Sequence, residues 1–208
     1  MTANATTGMV FLVDDDATVR RSLRRLLLTW SFQVEEFDSA EAFLARPAYD
    51  GAACAVLDLM MPGLNGLALQ QHLAELGRPL PVVFLSGHGD VRSAAHAFRE
   101  GAVDFLTKPV EEAALVEAVR RALEESVTDR QDRGEVAALE ELVARLTPRE
   151  HQVFALLSTG LANKVIAARL GTTERTIKAH RARVRAKLGT DSLADIVRIA
   201  DRLGLKPS

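Results

Sequence analysis

Short apolar runs of strand length recur through the first 125 residues, and this pattern constrains the fold more than any other feature of the chain. The runs are Val10–Val13, Val34–Phe37, Cys54–Leu57, Val82–Leu85 and Val103–Leu106. Several are apolar throughout, which is typical of parallel strands that helices cover on both faces. Stretches with apolar residues at helical spacing lie between them. Five β-then-α units in a row predict a doubly wound, five-stranded parallel sheet.

The end of the chain has the pattern of a small all-helical domain. Residues 147–150, Thr-Pro-Arg-Glu, form a capping box with proline at the first helical position, which predicts a helix running to about Ser158. Three further helices are predicted to begin at caps provided by Asn163, Thr173 and Ser192. Four short helices with a tight Gly-Thr-Thr connection in the middle predict a helix-turn-helix domain.

Charge divides the chain in the same way. Residues 145–208 hold 13 Lys plus Arg against 5 Asp plus Glu, although the whole chain has a net charge of −2. A basic end behind an acidic front indicates two domains with different partners, the basic one facing a polyanion, unless the surface charge is distributed by chance. We therefore predict a domain over 8–124, an exposed helical linker over 125–144 with Gly134 as a candidate break, and a domain over 145–208.

Other classes of protein are disfavoured by what the sequence lacks. The longest apolar run, Ala52–Leu57, is far shorter than the ~20 residues that span a bilayer. Residues 1–8 contain no basic side chain of the kind that begins a secretory signal. Cys54 is the only cysteine, and no CxxC or HExxH spacing is present. These features predict a cytoplasmic protein without structural zinc and without a membrane partner.

Charged and polar side chains follow the predicted strands where each one ends. The first strand ends in Asp14-Asp15-Asp16, where Asp16 is suited to cap the next helix, and the third strand ends in Asp58. Ligand sites in such sheets lie beyond the carboxyl ends of the strands, so these carboxylates should converge. Clustered carboxylates with room for water suit Mg²⁺ (or Mn²⁺).

Two more strand ends add matching chemistry. The fourth predicted strand ends at Ser86, and the fifth leads into Lys108. A hydroxyl and an ammonium beside carboxylates predict a site for a phosphoryl group bridged by a metal, with a carboxylate as the nucleophile. The simpler alternative is that the aspartates only cap helices and Lys108 is a surface cation.

Four motifs closely resemble the receiver domain of two-component response regulators, a flavodoxin-like fold, over about residues 8–125. They are VDDD at 13–16, LDLMMPGLNG at 57–66, SGHGD at 86–90 and GAVDFLTKP at 101–109. The resemblance implies that Asp58 accepts a phosphoryl group from a sensor histidine kinase. It implies that Asp14 and Asp15 bind the metal together with Asp58 and the main-chain oxygen of Met60.

The same resemblance assigns the remaining landmarks of the first domain. Ser86 and Lys108 are expected to contact the phosphoryl oxygens, and Phe105 matches the switch aromatic that turns inward on activation. The Lys108–Pro109 bond is cis in relatives. The surface from Val91 to Glu111, which holds the fourth helix and fifth strand, is the expected dimer contact.

The helix after Thr173 can be analysed independently at 100° per residue. If Ile177 points inward, Val184 and Leu188 must also pack against the other helices, with His180 as a packed histidine rather than a base reader. The opposite face then carries Arg175, Lys178, Ala179, Ala182, Arg183 and Ala186, and the flanks carry Arg181, Arg185 and Lys187. Small alanines allow close entry into a major groove, while basic flanks meet phosphates.

Residues 146–189 resemble the LuxR-type helix-turn-helix, so the whole chain resembles a FixJ/NarL-type transcriptional regulator. Relatives often have a polar or long residue at the position of Ala182, so base readout cannot be copied from them. The predicted DNA contacts are Asn163, Lys164, Thr173, Arg175, Thr176, Lys178, Ala179, Arg181, Ala182, Arg183, Arg185 and Lys187.

The leading hypothesis is a phosphorylation-controlled, DNA-binding transcriptional regulator that is not an enzyme. Its expected partners are a sensor histidine kinase, double-stranded promoter DNA, a second copy of the chain after phosphorylation, and RNA polymerase. One alternative is a Mg²⁺-dependent phosphatase or phosphotransferase, although no GxxxxGK[ST] loop is present. Another is a module that only sequesters phosphate and binds no specific DNA sequence.

Overall fold

The computed structural model of the chain describes residues 8–87, 95 and 97–205. Part of the SGHGD motif and part of the expected dimer surface lie outside the described residues. The chain divides into two compact units, the first ending at Arg130 and the second beginning at Gln131. Within the described ranges, no helix combines the length and apolar character needed to cross a membrane.

The first unit contains a single five-stranded parallel sheet in the order β2-β1-β3-β4-β5, which confirms the predicted architecture. The strands are β1 Met9–Val13, β2 Gln33–Phe37, β3 Ala53–Asp58, β4 Val82–Ser86 and β5 Asp104–Thr107. Because β2 and β3 lie on opposite sides of β1, the winding direction reverses between β1 and β3. Such a reversal opens a crevice at the carboxyl ends of those two strands.

Helices cover both faces of this sheet: α1 Ala17–Thr29, α2 Ala40–Ala45, α3 Gly66–Glu75 and the start of α4 Glu112–Ala144. Alternate residues of β1 enter different cores because side chains alternate along a strand. Val10 and Leu12 pack with α1 and α4, while Phe11 and Val13 pack with α2 and α3. Asp16 caps α1 as predicted, its carboxylate accepting the N–H groups of Thr18 and Val19.

Helix α4 continues without a break through Gly134 for 33 residues, so the candidate break at this glycine is wrong. A glycine inside a helix costs about 1 kcal/mol relative to alanine. Packing on both sides outweighs this cost, since Leu123 is buried in the first unit and Val143 in the second. Arg202 also forms ion pairs with Asp132 and Glu135, which lie on either side of Gly134.

The second unit consists of the end of α4 and four short helices, as predicted. They are α5 Pro148–Leu157, α6 Asn163–Arg169, α7 Glu174–Leu188 and α8 Leu193–Arg202. Thr147, Thr173 and Ser192 cap α5, α7 and α8, and the capping box with Glu150 is complete.

Asn163 does not cap α6, so that prediction is wrong. Asn163 is the first helical residue, and Ala162 occupies the cap position without a side-chain hydrogen bond. The side-chain oxygen of Asn163 instead accepts a hydrogen bond from Arg181 of α7, at 3.4 Å. A contact between helices has replaced the local cap.

Ser126 attaches α4 to the start of β3. Its side chain is buried, and its hydroxyl oxygen accepts the main-chain N–H of Ala53 at 3.0 Å. One turn later, Arg130 donates to the main-chain oxygen of Asp50 at 2.8 Å. These contacts hold α4 against the end of the sheet opposite the crevice.

Ser126→Ala should lower the free energy of unfolding of the first unit by about 1–3 kcal/mol, because it leaves the buried N–H of Ala53 without its acceptor. Thr128→Ala is the matched control, since Thr128 is exposed on the same helix. Urea unfolding followed by the fluorescence of Trp30, the only tryptophan, measures both. Equal midpoints for the two variants would contradict the role of Ser126.

Candidate functional site

The crevice between β1 and β3 holds the carboxylates that the sequence predicted there. Asp14 follows β1 and is fully buried, Asp58 ends β3 and is 6% exposed, and Asp15 is exposed. One carboxylate oxygen from each lies within 4.8 Å of the others. The donors are all oxygens and one of them faces solvent, so the residues fit a Mg²⁺ ion that keeps some of its water.

Lys108 offsets the repulsion between the two buried carboxylates. Its ammonium lies 2.6 Å from Asp14 Oδ2 and 2.8 Å from Asp58 Oδ2. Burial raises the pKa of Asp14, and the hydrogen bond from Lys108 opposes that shift. Burial by itself would lower the pKa of Lys108, but hydrogen bonds and charge from the two carboxylates outweigh it and raise the pKa. Lys108 therefore remains an ammonium at neutral pH.

Main-chain groups hold the remaining carboxylate oxygens in place. Asp14 Oδ1 accepts the N–H of Asp16 at 2.8 Å, and Asp58 Oδ1 accepts the N–H of Met60 at 3.2 Å. Met60 as a whole is 73% exposed, and its hydrogen bond to Asp58 comes from the main chain. Both buried carboxylates are thus fixed in orientation before any ligand binds.

Ser86 and Phe105 lie on the neighbouring strands β4 and β5. Ser86 is buried at the end of β4, and its main-chain oxygen accepts the N–H of Lys108 at 2.7 Å. Phe105 is partly buried against the core formed with α2 and α3. The Lys108–Pro109 peptide bond is cis. The sheet therefore brings Ser86 and Lys108 to the same edge as Asp58.

Gly66 is a positioning residue to which the sequence analysis assigned no role. A Cβ atom at this position would lie 2.5 Å from the main-chain oxygen of Asp58. Its N–H also donates to the main-chain oxygen of Leu59 at 3.2 Å. Only glycine allows α3 to begin this close to the Asp58 loop. The sequence feature that could have revealed this role is the position of Gly66 at the end of the LDLMMPGLNG motif.

The second unit presents the predicted face of α7 to solvent. Ile177, Val184 and Leu188 are buried, which confirms the helical phasing. The residues that are exposed on the opposite face are Arg175, Lys178, Ala179, Ala182, Arg183 and Ala186. Arg181 and Arg185 are partly exposed on its flanks. This surface is basic and has small residues along its centre, so it can approach a polyanion closely.

Polar residues of α6 and of the turn before α7 lie beside this face. Lys164 and Thr173 are exposed, and the hydroxyls of Thr173 and Thr176 lie 2.9 Å apart. His180 is partly buried, and its Nδ1 atom has no hydrogen-bond partner among the described residues, which agrees with a packed histidine.

Lys187 is the residue of α7 whose ammonium pairs with a buried carboxylate among the described residues. The ammonium donates to Glu150 Oε2 at 2.6 Å and to the main-chain oxygen of Arg145 at 2.9 Å. Hydrogen bonds from Lys187 and from the N–H of Thr147 lower the pKa of Glu150 to about 2. The structure does not place Lys187 with the freely exposed cations.

Two family models match the chain, one for each unit. The response regulator receiver domain matches residues 10–120, and the luxR family of bacterial regulatory proteins matches residues 144–200. Nodulation protein W of Bradyrhizobium diazoefficiens is 41% identical over 204 residues, covering 98% of this chain and 90% of that protein. The transcriptional regulatory protein FixJ of the same organism is 38% identical over 200 residues, covering 96% and 98%.

Solved structures agree with the sequence comparisons. The response regulator StyR is 42% identical with a TM-score of 0.78, covering 94% of this chain and 99% of that one. Full-length FixJ from B. japonicum is 38% identical with a TM-score of 0.57, covering 96% and 98%.

Glu150→Gln should remove a pH dependence from the stability of the second unit. Its folded-state pKa is about 2 and its ordinary value is 4.5, so the ionised carboxylate stabilises the fold fully above about pH 4.5 and progressively less as the pH falls toward 2. The difference in Tm between the two full-length proteins, measured by calorimetry, should shrink over that interval. Glu174→Gln, at an exposed carboxylate in α7, is the control. A difference that stays constant down to about pH 2 would contradict this assignment.

Proposed function

Because this chain belongs to the response regulator family, with a receiver domain followed by a LuxR-type DNA-binding domain, we propose that phosphorylation of Asp58 by a sensor histidine kinase controls its binding to promoter DNA. The observation that carries the proposal is the contact of Lys108 with Asp14 and Asp58 at the switch point of the sheet. The exposed basic face of α7, in the second unit, is the surface that would bind DNA.

Asp58 is the nucleophile in the proposed transfer. A carboxylate oxygen of Asp58 attacks phosphorus, the P–N bond of the kinase phosphohistidine breaks, and its electron pair returns to the imidazole, which then takes up a proton. Asp14, Asp15, Asp58 and the main-chain oxygen of Met60 would hold Mg²⁺ (or Mn²⁺), which would supply positive charge to the phosphoryl group when bound. The product is an acyl phosphate on Asp58.

Phosphorylation changes the partners of Lys108. Asp58 in the acyl phosphate has no free carboxylate that could pair with the ammonium, so Lys108 moves to a phosphoryl oxygen. Ser86 donates a hydrogen bond from its hydroxyl to a second phosphoryl oxygen. Phe105 then turns inward and alters the surface of residues 91–111, where two copies of the chain meet. Dimerisation matches the paired half-sites that helix-turn-helix proteins bind.

The paired helices α7 enter the major groove of promoter DNA. Lys178 and Arg183 lie on the exposed face and supply hydrogen bonds to base edges, while Ala179 and Ala182 permit close approach. Phosphate contacts come from Asn163, Lys164, Thr173, Arg175, Thr176, Arg181 and Arg185. The protein then recruits RNA polymerase in the cytoplasm and has no separate enzymatic activity.

Phosphorylation should convert the wild-type protein from a monomer into a dimer and so double its mass in solution. Asp58→Asn should remain a monomer because it has no phosphoacceptor. Analytical ultracentrifugation with and without a small-molecule phosphoryl donor and Mg²⁺ measures the change. Asp38→Asn, at an exposed carboxylate following β2, is the matched control and should behave as the wild type. An unchanged mass, or an Asp58→Asn protein that responds equally, would refute the proposal.

Substitutions on α7 should distinguish contacts with the DNA phosphates, which position the helix, from contacts with the base edges, which recognise the sequence. Arg181→Ala should weaken binding to all duplexes similarly and reduce the slope of log K against log salt by about one unit, because it removes a phosphate contact. Ala182→Glu should abolish binding, because it places a carboxylate against the groove. Fluorescence anisotropy over a range of salt concentrations measures both. Altered sequence preference in Arg181→Ala, together with normal binding by Ala182→Glu, would contradict the proposed docking.

A further inference from the structure

Lys187 connects three helices of the DNA-binding unit through one ammonium group. It belongs to the last turn of α7, Glu150 to the first turn of α5, and Arg145 directly follows the end of α4. The Glu150 carboxylate is buried, with its side chain only 4% exposed, and its partner Lys187 is 34% exposed. Lys178 and Arg183 of α7 are exposed, whereas Arg181 and Arg185 are partly exposed.

Lys187 donates to one charged acceptor, the Glu150 carboxylate, and to one neutral acceptor, the main-chain oxygen of Arg145. The last carbonyl groups of a helix have no intrahelical partner and form the negative end of its dipole, which applies to the Arg145 oxygen after α4. The Glu150 carboxylate already accepts the N–H of Thr147 at 2.9 Å within the capping box. An ammonium has three donors, so one lysine can satisfy both acceptors at once.

We propose that Lys187 is a positioning residue: it fixes α7, the helix that presents the proposed DNA-binding face, to the end of the linker helix α4 and to the start of α5, and it does not serve as a phosphate contact. This inference rests on the proposed DNA-binding function and replaces the sequence-based assignment of Lys187 to the DNA backbone.

Binding of Lys187 to a DNA phosphate would carry an energetic cost within the protein. If its ammonium moved to a phosphate, the buried Glu150 carboxylate would lose its charge partner, which is the costly way to break such a pair. Lys164, an exposed proposed phosphate contact, forms no ion pair with a buried carboxylate among the described residues. Moreover, the apolar contacts of Ile177, Val184 and Leu188 are non-directional, whereas two short hydrogen bonds at the end of α7 define its orientation.

Duplex binding by phosphorylated full-length protein tests this role. The variants are Lys187→Met, Lys164→Met at an exposed proposed phosphate contact as the control, and the double variant Lys187→Met/Glu150→Gln. Each is titrated with a duplex that the wild-type protein selects from a random library and with a random duplex of equal length, over a range of salt concentrations.

Lys164→Met should lower the salt slope by about one unit, as expected for a lost phosphate contact. Lys187→Met should leave the slope unchanged and lower the ratio of specific to non-specific affinity by about tenfold, a cost of about 1.4 kcal/mol. The double variant should recover part of that ratio, because glutamine removes the unpaired buried charge that Lys187→Met creates.

Two outcomes would overturn the inference without affecting the proposed function. A slope lowered by one unit in Lys187→Met, with no recovery in the double variant, would make Lys187 a phosphate contact. An equal loss of affinity for both duplexes at unchanged slope would make its role purely one of stability. Failure of the proposed function is a different result, since the wild-type protein would then select no duplex.

Discussion

Repulsion between carboxylates at the carboxyl edge of the sheet is the constraint on which the first unit depends. Asp14 and Asp58 are buried side by side, and the ammonium of Lys108 between them offsets the repulsion of their carboxylates. That ammonium reaches them because β5 pairs with β4 and because the N–H of Lys108 donates to the Ser86 oxygen. The chemistry of the site therefore depends on the order and pairing of the strands, because these bring Lys108 to the two carboxylates.

The second unit repeats the motif of a buried carboxylate paired with a lysine, to a different end. Lys108 is shared between two carboxylates, and in the proposed mechanism it is released from one of them when that carboxylate is phosphorylated. Lys187 instead connects Glu150 with a main-chain carbonyl, and neither acceptor changes its chemistry. The first pair is suited to a switch and the second to a permanent connection.

Sequence patterns predicted the elements of this chain well wherever local chemistry decides them. The capping residues Asp16, Thr147, Thr173 and Ser192 were found because a cap is a bond between residues two or three apart. The prediction for Asn163 was wrong because Arg181, 18 residues further along the chain, takes up its side-chain oxygen. The candidate break at Gly134 was wrong for a similar reason, since packing and ion pairs on both sides outweigh one unfavourable helix propensity.

The sequence by itself determined the strands, the edge at which their polar ends converge, and the exposed face of α7, because all three follow from fixed backbone periods and from the common direction of parallel strands. Only the tertiary structure decided that Lys108 bridges Asp14, 94 residues away, and that Lys187 holds Glu150, 37 residues away. It also decided that Gly66 must lie against the Asp58 main chain. Contacts of this kind depend on how whole elements pack, and no local periodicity encodes the distance between two side chains that far apart in the chain.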